Sequence, residues 1–432
     1  MRARVGVYKI RMNTLGIRRV CSRTTAGIEP RYPIDLARRI RRNHSNRECQ
    51  TLSVNGGGVF TRREFLKELA EGTTGLFFLN WGLRSASLPR QGAGGNGKRR
   101  RITLRGERVL TVDIHTHCTV DIRDLVKDHE EARSDPLLIP NQLSLLDPAS
   151  VESRLRHMDE RGIDIQAVSP FPSYNYWADR DLAGRIVERQ NQKISELSTA
   201  YPDRFVGLGG LALQHPELAV DQMENGVKKL GLRGFEIDGG VNGEELSAPR
   251  FTPFWAKAEE LGILIFIHPA GFPEGQRRFQ GNGFLTNVIG NPLQTTVALS
   301  HLIFDGTLDR FPGVKICAAH GGGYMASYLG RSNRCAEASP NCKPITKRPS
   351  EYFKQQVYCD SVVFTAEGLR HLVAEVGSSH VLLGSDFPAN IAPPNMGDAR
   401  EVDSVLGVPG LADADQKAIL GGNAVKLLGI RS

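Results

Sequence analysis

Four histidines and one aspartate stand at the ends of apolar runs in this sequence: His115, His117, His268, His320 and Asp386. One residue separates His115 from His117, so on a β-strand both side chains would point to the same face. Neutral imidazole nitrogens and one carboxylate suit zinc, and three or four such ligands leave room for a water molecule. We therefore predict that His115, His117, His268 and Asp386 bind one divalent metal ion, most simply Zn²⁺.

The fifth residue, His320, precedes three glycines that allow substrate and backbone to approach each other closely. A bound metal lowers the pKa of its water toward 7 and polarises substrate oxygens. A histidine beside the metal can take the proton of that water. We therefore predict that His320 is the catalytic acid and base, with Asp386 sharing the catalytic role.

Each of these residues also has a purely structural interpretation when it is taken alone. A His-x-His pair occurs often by chance, His268 could be a hydrogen-bonded core histidine, His320 could lie in a turn, and Asp386 could cap a helix. These interpretations would have to coincide at four strand ends of one domain. The metal site is therefore the better hypothesis.

The elements that must position these residues are visible from residue 109 onward, where short apolar runs alternate with longer amphipathic stretches. Such alternation predicts β/α repeats around a parallel sheet. Eight repeats over residues 109–432 predict an α/β fold, a (β/α)₈ TIM barrel with its chemistry at the carboxyl ends of the strands. The predicted strands are Val109–Ile114, Ile165–Val168, Phe205–Leu208, Gly234–Ile237, Leu264–His268, Val314–Ala318, Val357–Asp360 and Val381–Gly384.

The net charge of +8 belongs to an N-terminal extension and not to the barrel. Residues 1–108 carry 24 Lys and Arg against 7 Asp and Glu, whereas the remainder carries 31 against 40. The acidic barrel domain shows no basic stripe, which argues against a nucleic-acid partner. Residues 1–60 have no clear periodicity and are predicted to be a basic, disordered extension, or sequence upstream of the true start codon.

Residues 61–90 resemble a twin-arginine export signal, since Thr61-Arg62-Arg63-Glu64-Phe65-Leu66-Lys67 precedes a short, weakly apolar run. The alternatives are an amphipathic helix and a cytoplasmic protein. The run is too short for a stable membrane span, and residues 91–108 read as a linker by composition. The seven cysteines are too few and scattered for a disulfide scaffold, although Cys335 and Cys342 could pair in an exported protein.

These motifs together resemble the amidohydrolase superfamily, specifically its decarboxylase-like branch and the aminocarboxymuconate semialdehyde decarboxylase family. The resemblance covers roughly residues 109–430. It rests on the following segments: His115-Thr116-His117, His268-Pro269, Ala319-His320-Gly321-Gly322-Gly323, Gly384-Ser385-Asp386-Phe387-Pro388 and Gly422-Asn423-Ala424. It implies the same four metal ligands, and His320 as the residue that activates the metal-bound water.

The resemblance also implies a homodimer in which Arg331 reaches a substrate carboxylate across the subunit interface. A planar guanidinium suits a carboxylate, but an arginine on a helix is usually solvated. Ala270 and Ala389 depart from the family, which has aromatic residues at both positions. No counterpart of a second substrate arginine is evident; the candidates are Arg123, Arg133, Arg277 and Arg278.

Two enzymatic functions and one non-enzymatic function follow from these observations. The first is a metal-dependent decarboxylase, a lyase, of a small unsaturated or aromatic carboxylic acid. The second is a metal-dependent hydrolase of a lactone, ester or amide, in which metal hydroxide attacks a carbonyl. Arginines near the site favour the first, because a retained carboxylate needs a cation. The third, an inert binding protein, predicts loss of a ligand, and all the ligands are present.

Overall fold

Eight parallel strands form the central sheet of the computed structural model, which describes residues 99–133, 146–170, 174–342, 345–388 and 401–431. Each strand pairs with the next along the chain. In chain order they are β1 (Val112–Cys118), β2 (Ile165–Pro170), β3 (Phe205–Gly209), β4 (Gly234–Ile237), β5 (Leu264–Ile267), β6 (Lys315–Ala318), β7 (Val357–Asp360) and β8 (Val381–Leu382).

The sheet closes on itself between its first and last strands. Ile114 donates its backbone N–H to the carbonyl of Leu383 at 2.8 Å, and a parallel bridge joins Thr116 to Phe387. Closure removes both edges of the sheet, and the predicted (β/α)₈ barrel is confirmed. All eight predicted strands are present, with small differences in where each begins and ends.

Amphipathic helices cover the outside of the barrel and begin where capping residues place them. Asp147 accepts the N–H groups of Ala149 and Ser150, and Gly162 ends the same helix in a left-handed conformation. The main helices are α1 (Pro148–Arg161), α2 (Arg180–Ala200), α3 (Pro216–Lys228), α4 (Thr252–Leu261), α5 (Asn291–Phe304), α6 (Met325–Ala338) and α7 (Ala366–Val376).

Shorter helices complete the described part of the chain. In the loops they are Arg123–Val126, Glu130–Arg133, Pro249–Phe251, Pro273–Arg278, Thr286–Gly290, Thr307–Arg310, Ala319–Gly322, Pro340–Cys342, Pro349–Tyr352, Ser378–His380 and Glu401–Leu406. The terminal region expected at Asp413–Leu428 consists of Asp413–Lys417, a π-helical turn at Ala418–Gly422, and Asn423–Leu428. No helix within these ranges has the length and apolar character needed to cross a bilayer.

The segment expected to be a linker at residues 91–108 is structured in its second half. Thr103–Leu104 and Glu107–Arg108 form an antiparallel hairpin. Arg99 and Arg108 both pair with the buried carboxylate of Asp164, at 2.7 and 2.5 Å. The barrel domain therefore begins before residue 109, because these arginines neutralise a buried charge. The composition of the segment does not reveal this pairing. The predicted extension at residues 1–60 and signal at 61–90 lie outside the described residues.

Candidate metal centre

The barrel brings the four predicted ligands together at the carboxyl ends of its strands. His115 and His117 lie on β1, His268 follows β5, and Asp386 follows β8. One donor atom from each residue can be chosen so that all four lie within 4.8 Å of one another, and all four residues are buried. Asp386 Oδ1 lies 3.2 Å from His115 Nε2 and 3.4 Å from His117 Nε2.

The chemistry of these donors fits a metal ion better than a hydrogen-bonded cluster. Both ring nitrogens of His268 are buried and have no hydrogen-bond partner among the described residues. A buried polar atom without a partner is unfavourable by about 1–3 kcal/mol, so a ligand is expected to satisfy it. Burial and the neighbouring histidines hold the pKa of His268 well below its usual value, which favours the neutral, metal-binding imidazole.

Two carboxylates that the sequence analysis missed orient the β1 histidines. His115 Nδ1 lies 2.6 Å from Asp360 Oδ2, and His117 Nδ1 lies 3.4 Å from Glu236 Oε2. Both carboxylates are fully buried, at the end of β7 and within β4. In each pair the other ring nitrogen, Nε2, is left facing Asp386, as a metal-ligating histidine requires. The sequence signal that could have identified these carboxylates is a charged residue in an otherwise uncharged strand.

The same Asp360 carboxylate fixes the turn that carries His320. It accepts the backbone N–H groups of His320, Gly321 and Val362 at 3.0, 2.9 and 3.0 Å. His320 adopts a left-handed conformation with φ 57° and ψ 48°, which is uncommon for a residue other than glycine. The sharp turn after β6 therefore depends on Asp360, and the three glycines that follow share positive φ values.

His320 lies beside the four-residue cluster, as the sequence analysis expected. Its Nε2 is 3.6 Å from Asp386 Oδ2, and its ring centroid is 5.2 Å from those of His115 and His268. Burial acts to raise the pKa of Asp386, but His115, His117 and His320 hold that pKa well below its usual range. Asp386 is thus an anion positioned among imidazoles. Such an arrangement can bind a cation and can accept or return a proton through His320.

Within the described residues, no hydrogen bond or ion pair links the predicted substrate arginines to this cluster. Arg331 is exposed on α6 and makes no ion pair within the part of the chain that the structure describes. Arg277 and Arg278 are exposed in the short helix after β5, and Arg123 pairs with Asp121 at 2.6 Å. The Ala270 backbone N–H contacts Asp238 Oδ1 at 3.2 Å. The side chain of Arg133 and the whole of Ala389 lie outside the described residues.

The comparisons with known proteins assign this chain to a family. The sequence profile of the amidohydrolase family matches residues 112–430, about three quarters of the chain. The chain belongs to this family, as the motifs predicted.

Within the family, curated relatives and solved structures with decarboxylase names resemble this chain. It is 31% identical over 280 residues to 2-amino-3-carboxymuconate-6-semialdehyde decarboxylase of Dictyostelium discoideum, covering 64% of this chain and 76% of the relative. It is 30% identical over 262 residues to gamma-resorcylate decarboxylase of Rhodococcus jostii, covering 57% and 79%. These relatives confirm the prediction that the chain is a carboxy-lyase of the amidohydrolase superfamily.

Solved structures share the fold. The 5-carboxyvanillate decarboxylase of Sphingomonas paucimobilis superposes with a TM-score of 0.66 at 23% identity, covering 75% of this chain and all of that one. The dihydroxybenzoic acid decarboxylase of a Polaromonas species superposes with a TM-score of 0.63 at 24% identity, covering 75% and 98%. That structure contains bound manganese and the inhibitor 2-nitroresorcinol.

Proposed function

We propose that this chain is a metal-dependent decarboxylase of a small aromatic or unsaturated carboxylic acid. The observation that carries the proposal is the convergence of four buried donor groups within 4.8 Å, with His320 Nε2 3.6 Å from Asp386. The names of the relatives support decarboxylation over the hydrolysis of a lactone, ester or amide.

The ligand set that we propose is His115, His117, His268 and Asp386, and the ion that we propose is Zn²⁺. Three imidazoles favour zinc, whereas a carboxylate and open water positions are also compatible with manganese. The manganese in the Polaromonas structure makes Mn²⁺ the main alternative. Metal analysis of protein purified without added metal distinguishes the two ions.

A divalent metal ion held by His115, His117, His268 and Asp386 would act as a Lewis acid and polarise the oxygens of the substrate. We assign the proton transfer to His320, whose Nε2 lies 3.6 Å from Asp386 Oδ2. It is partly accessible, whereas the side chains of His115 and His117 are fully buried. Decarboxylation replaces the bond between the substrate carbon and its carboxylate with a bond to hydrogen. His320 donates that proton to the substrate carbon, and the electron pair of the broken bond remains on this carbon as CO₂ leaves.

A panel assay tests the proposed reaction. Metal-loaded protein is incubated with hydroxybenzoates, carboxymuconate-type acids and, in parallel, with lactones and esters, while CO₂ in the headspace and ring-opened products are measured. We expect CO₂ from at least one acid and no lactone hydrolysis. Lactone or ester hydrolysis without CO₂ from any acid would favour the hydrolase instead.

The metal centre has a separate test that does not depend on finding a substrate. The double variant His115→Ala/His117→Ala removes the two ligands on β1, and elemental analysis measures its metal content. The matched control is His301→Ala/His371→Ala, which removes two histidines outside the cluster, the half-buried His301 and the exposed His371. We expect about one metal ion per chain in the control and wild type and none in the β1 variant. Equal metal content in all three would contradict the ligand assignment.

We also propose a homodimer and export through the twin-arginine route. The proposed dimer rests on the family resemblance and on the exposed position of Arg331 on α6. The proposed export is supported by the motif at residues 61–67 and by the disulfide between Cys335 and Cys342, since such bonds persist in oxidising compartments. Mass spectrometry of the N-terminus, together with the compartment in which the chain is found, tests export. A periplasmic chain that begins after the signal at residues 61–90 is expected, whereas uncleaved chain confined to the cytoplasm would contradict export.

A further inference from the structure

Arg154 is a buried cation outside the metal cluster that contacts the segments carrying two of its ligands. It lies on α1 and is only 1% exposed, which is rare for arginine. Within the described residues no carboxylate lies at ion-pair distance from it, so its burial is not explained by a salt bridge. Its contacts are instead with the backbone of one ligand strand, with an aromatic ring and with an amide.

The first contact of Arg154 is with the end of β1. Its Nη2 donates to the backbone carbonyl of His117. The backbone N–H of the same His117 donates to the carbonyl of Phe387 at 2.7 Å. The backbone of His117 is therefore held at both its N–H and its carbonyl, by the segment after β8 and by α1.

The second contact of Arg154 is with the segment that carries Asp386. The guanidinium carbon lies 4.8 Å from the ring centroid of Phe387, the residue directly after this ligand. A desolvated guanidinium over an aromatic ring is a favourable cation–π arrangement. His157, one turn further along α1, packs on the same ring at 4.3 Å. Helix α1 thus holds Phe387 through two side chains.

A third connection reaches the other neighbour of Asp386 through a chain of buried groups. Arg154 Nη1 donates to Gln166 Oε1 at 3.3 Å, and Gln166 Nε2 donates to Asp113 Oδ2 at 3.3 Å. Asp113 accepts the N–H and hydroxyl groups of Ser385 at 3.0 and 2.6 Å. Ser385 and Phe387, on the two sides of Asp386, are thus both connected to Arg154.

We propose that Arg154 is a positioning residue of the metal centre, which sets the separation of His117 and Asp386 by holding the carbonyl of His117 and the ring of Phe387. This inference depends on the proposed metal site, but it does not depend on the proposed reaction. Replacing a residue that orients the metal ligands without binding the metal itself commonly changes metal affinity by about 10–100-fold. A residue needed only for folding would change stability and leave the affinity of the folded protein unaltered.

The test measures Co²⁺ binding to metal-free protein by its visible absorption, with the thermal midpoint recorded for each variant. Arg154→Met removes the charge and the donors at similar length, and Arg154→Lys retains the charge. The matched control is Arg204→Met. Arg204 is also buried, but it donates to the backbone carbonyl of Asp164, just before β2, and to the carboxylate of Asp159, near the end of α1. It contacts neither His117 nor Phe387 within the described residues.

We expect Arg154→Met to raise the Co²⁺ dissociation constant about tenfold or more and to alter the absorption bands. Arg154→Lys should have a smaller effect, and Arg204→Met should lower the thermal midpoint with Co²⁺ affinity unchanged. If Arg154→Met does not fold, the Co²⁺ affinity of Arg154→Lys is compared with that of Arg204→Met instead. Wild-type affinity and spectrum in both Arg154 variants would overturn the inference. Absence of Co²⁺ binding in the wild type would overturn the metal centre itself, whereas absence of CO₂ release would overturn only the reaction.

Discussion

Asp360 Oδ2 lies 2.6 Å from His115 Nδ1, on the side of the imidazole ring that faces away from the other predicted ligands. The same carboxylate accepts the backbone N–H of His320. One buried side chain at the end of β7 therefore orients a metal ligand and the proposed acid and base together. Burial acts to raise the pKa of Asp360, but His115 and the backbone donors keep that pKa below its usual value.

The first prediction concerns Asp360→Asn, which keeps the size of the side chain and removes its charge. An amide offers one acceptor oxygen in place of two, so it cannot serve His115, His320 and Gly321 together. We expect metal affinity to fall about 10–100-fold, with loss of activity at metal concentrations that saturate the wild type. Isothermal titration of metal-free protein with Zn²⁺ measures the affinity.

The control for this substitution is Asp309→Asn. Asp309 also accepts several hydrogen bonds, from Thr346 and Tyr352, but outside the metal cluster. We expect it to lower the thermal midpoint and to leave metal affinity unaltered. The orienting role of Asp360 would be refuted if both asparagine variants bound Zn²⁺ equally well.

The second prediction concerns His320→Asn. Asparagine tolerates the left-handed backbone of this position, so the turn should persist while the proton-carrying ring is removed. We expect kcat to fall by about 10²–10⁴, the usual contribution of a positioned acid or base, with metal content unchanged. Steady-state kinetics together with elemental analysis check this. The exposed His371→Asn is the control, and loss of metal from His320→Asn would show that His320 is a ligand instead.

The third prediction concerns the stability of the protein in acid. Burial, with Arg161 and Arg154 nearby, lowers the pKa of His157 to about 3. The unfolded chain has the ordinary value near 6.5, so between these values it binds more protons than the folded chain. The stability that neutral His157 provides is complete above about pH 6.5 and is lost as the pH falls toward 3.

We therefore expect the thermal midpoint to fall less in His157→Gln than in the wild type when the pH is lowered from neutral to 4.5. The measurement uses metal-free protein, so that release of the ion does not contribute. His371→Gln, at an exposed position, should follow the wild type. Parallel midpoint curves for wild type and His157→Gln would show that His157 is not the group responsible.

The barrel and the four ligand positions were predictable because both follow from local patterns. Apolar runs of strand length recur eight times, and parallel strands deliver the residues at their carboxyl ends to one rim. His115, His117, His268 and Asp386 could therefore be placed together without knowing any distance. The predicted position of His320 beside them follows from the same rule.

The groups that orient these residues were not predictable, because their partners are distant in sequence. Asp360 is 245 residues from His115, and Glu236 lies inside a strand whose other residues are apolar. Arg154 looks like an ordinary surface residue of an amphipathic helix until closure of the barrel places His117 and Phe387 against it. The hairpin at residues 103–108 was missed because its stability depends on Asp164, outside the segment itself.

The fourth prediction concerns Arg331 and the proposed dimer. If Arg331 acts in the site of the partner subunit, then each site contains His320 of one subunit and Arg331 of the other. The variants Arg331→Met and His320→Asn each remove one of these two residues. A mixed dimer then contains one intact site, so an equimolar mixture that has exchanged subunits should recover about a quarter of wild-type activity. Activity is compared before and after exchange, with each variant alone as its own control. No recovery despite exchange that mass spectrometry verifies would contradict the trans arrangement.

The central claim is that the metal-loaded protein removes CO₂ from a carboxylic acid and puts a proton in its place. The most direct measurement uses an acid labelled with ¹³C in its carboxylate, taken from the panel and incubated in D₂O with metal-loaded, metal-stripped and reloaded protein. We predict one equivalent of ¹³CO₂ and one deuterium at the carbon that held the carboxylate, lost on stripping and restored on reloading. Retention of the label in the acids, with or without metal, while a lactone or ester is hydrolysed would contradict the account.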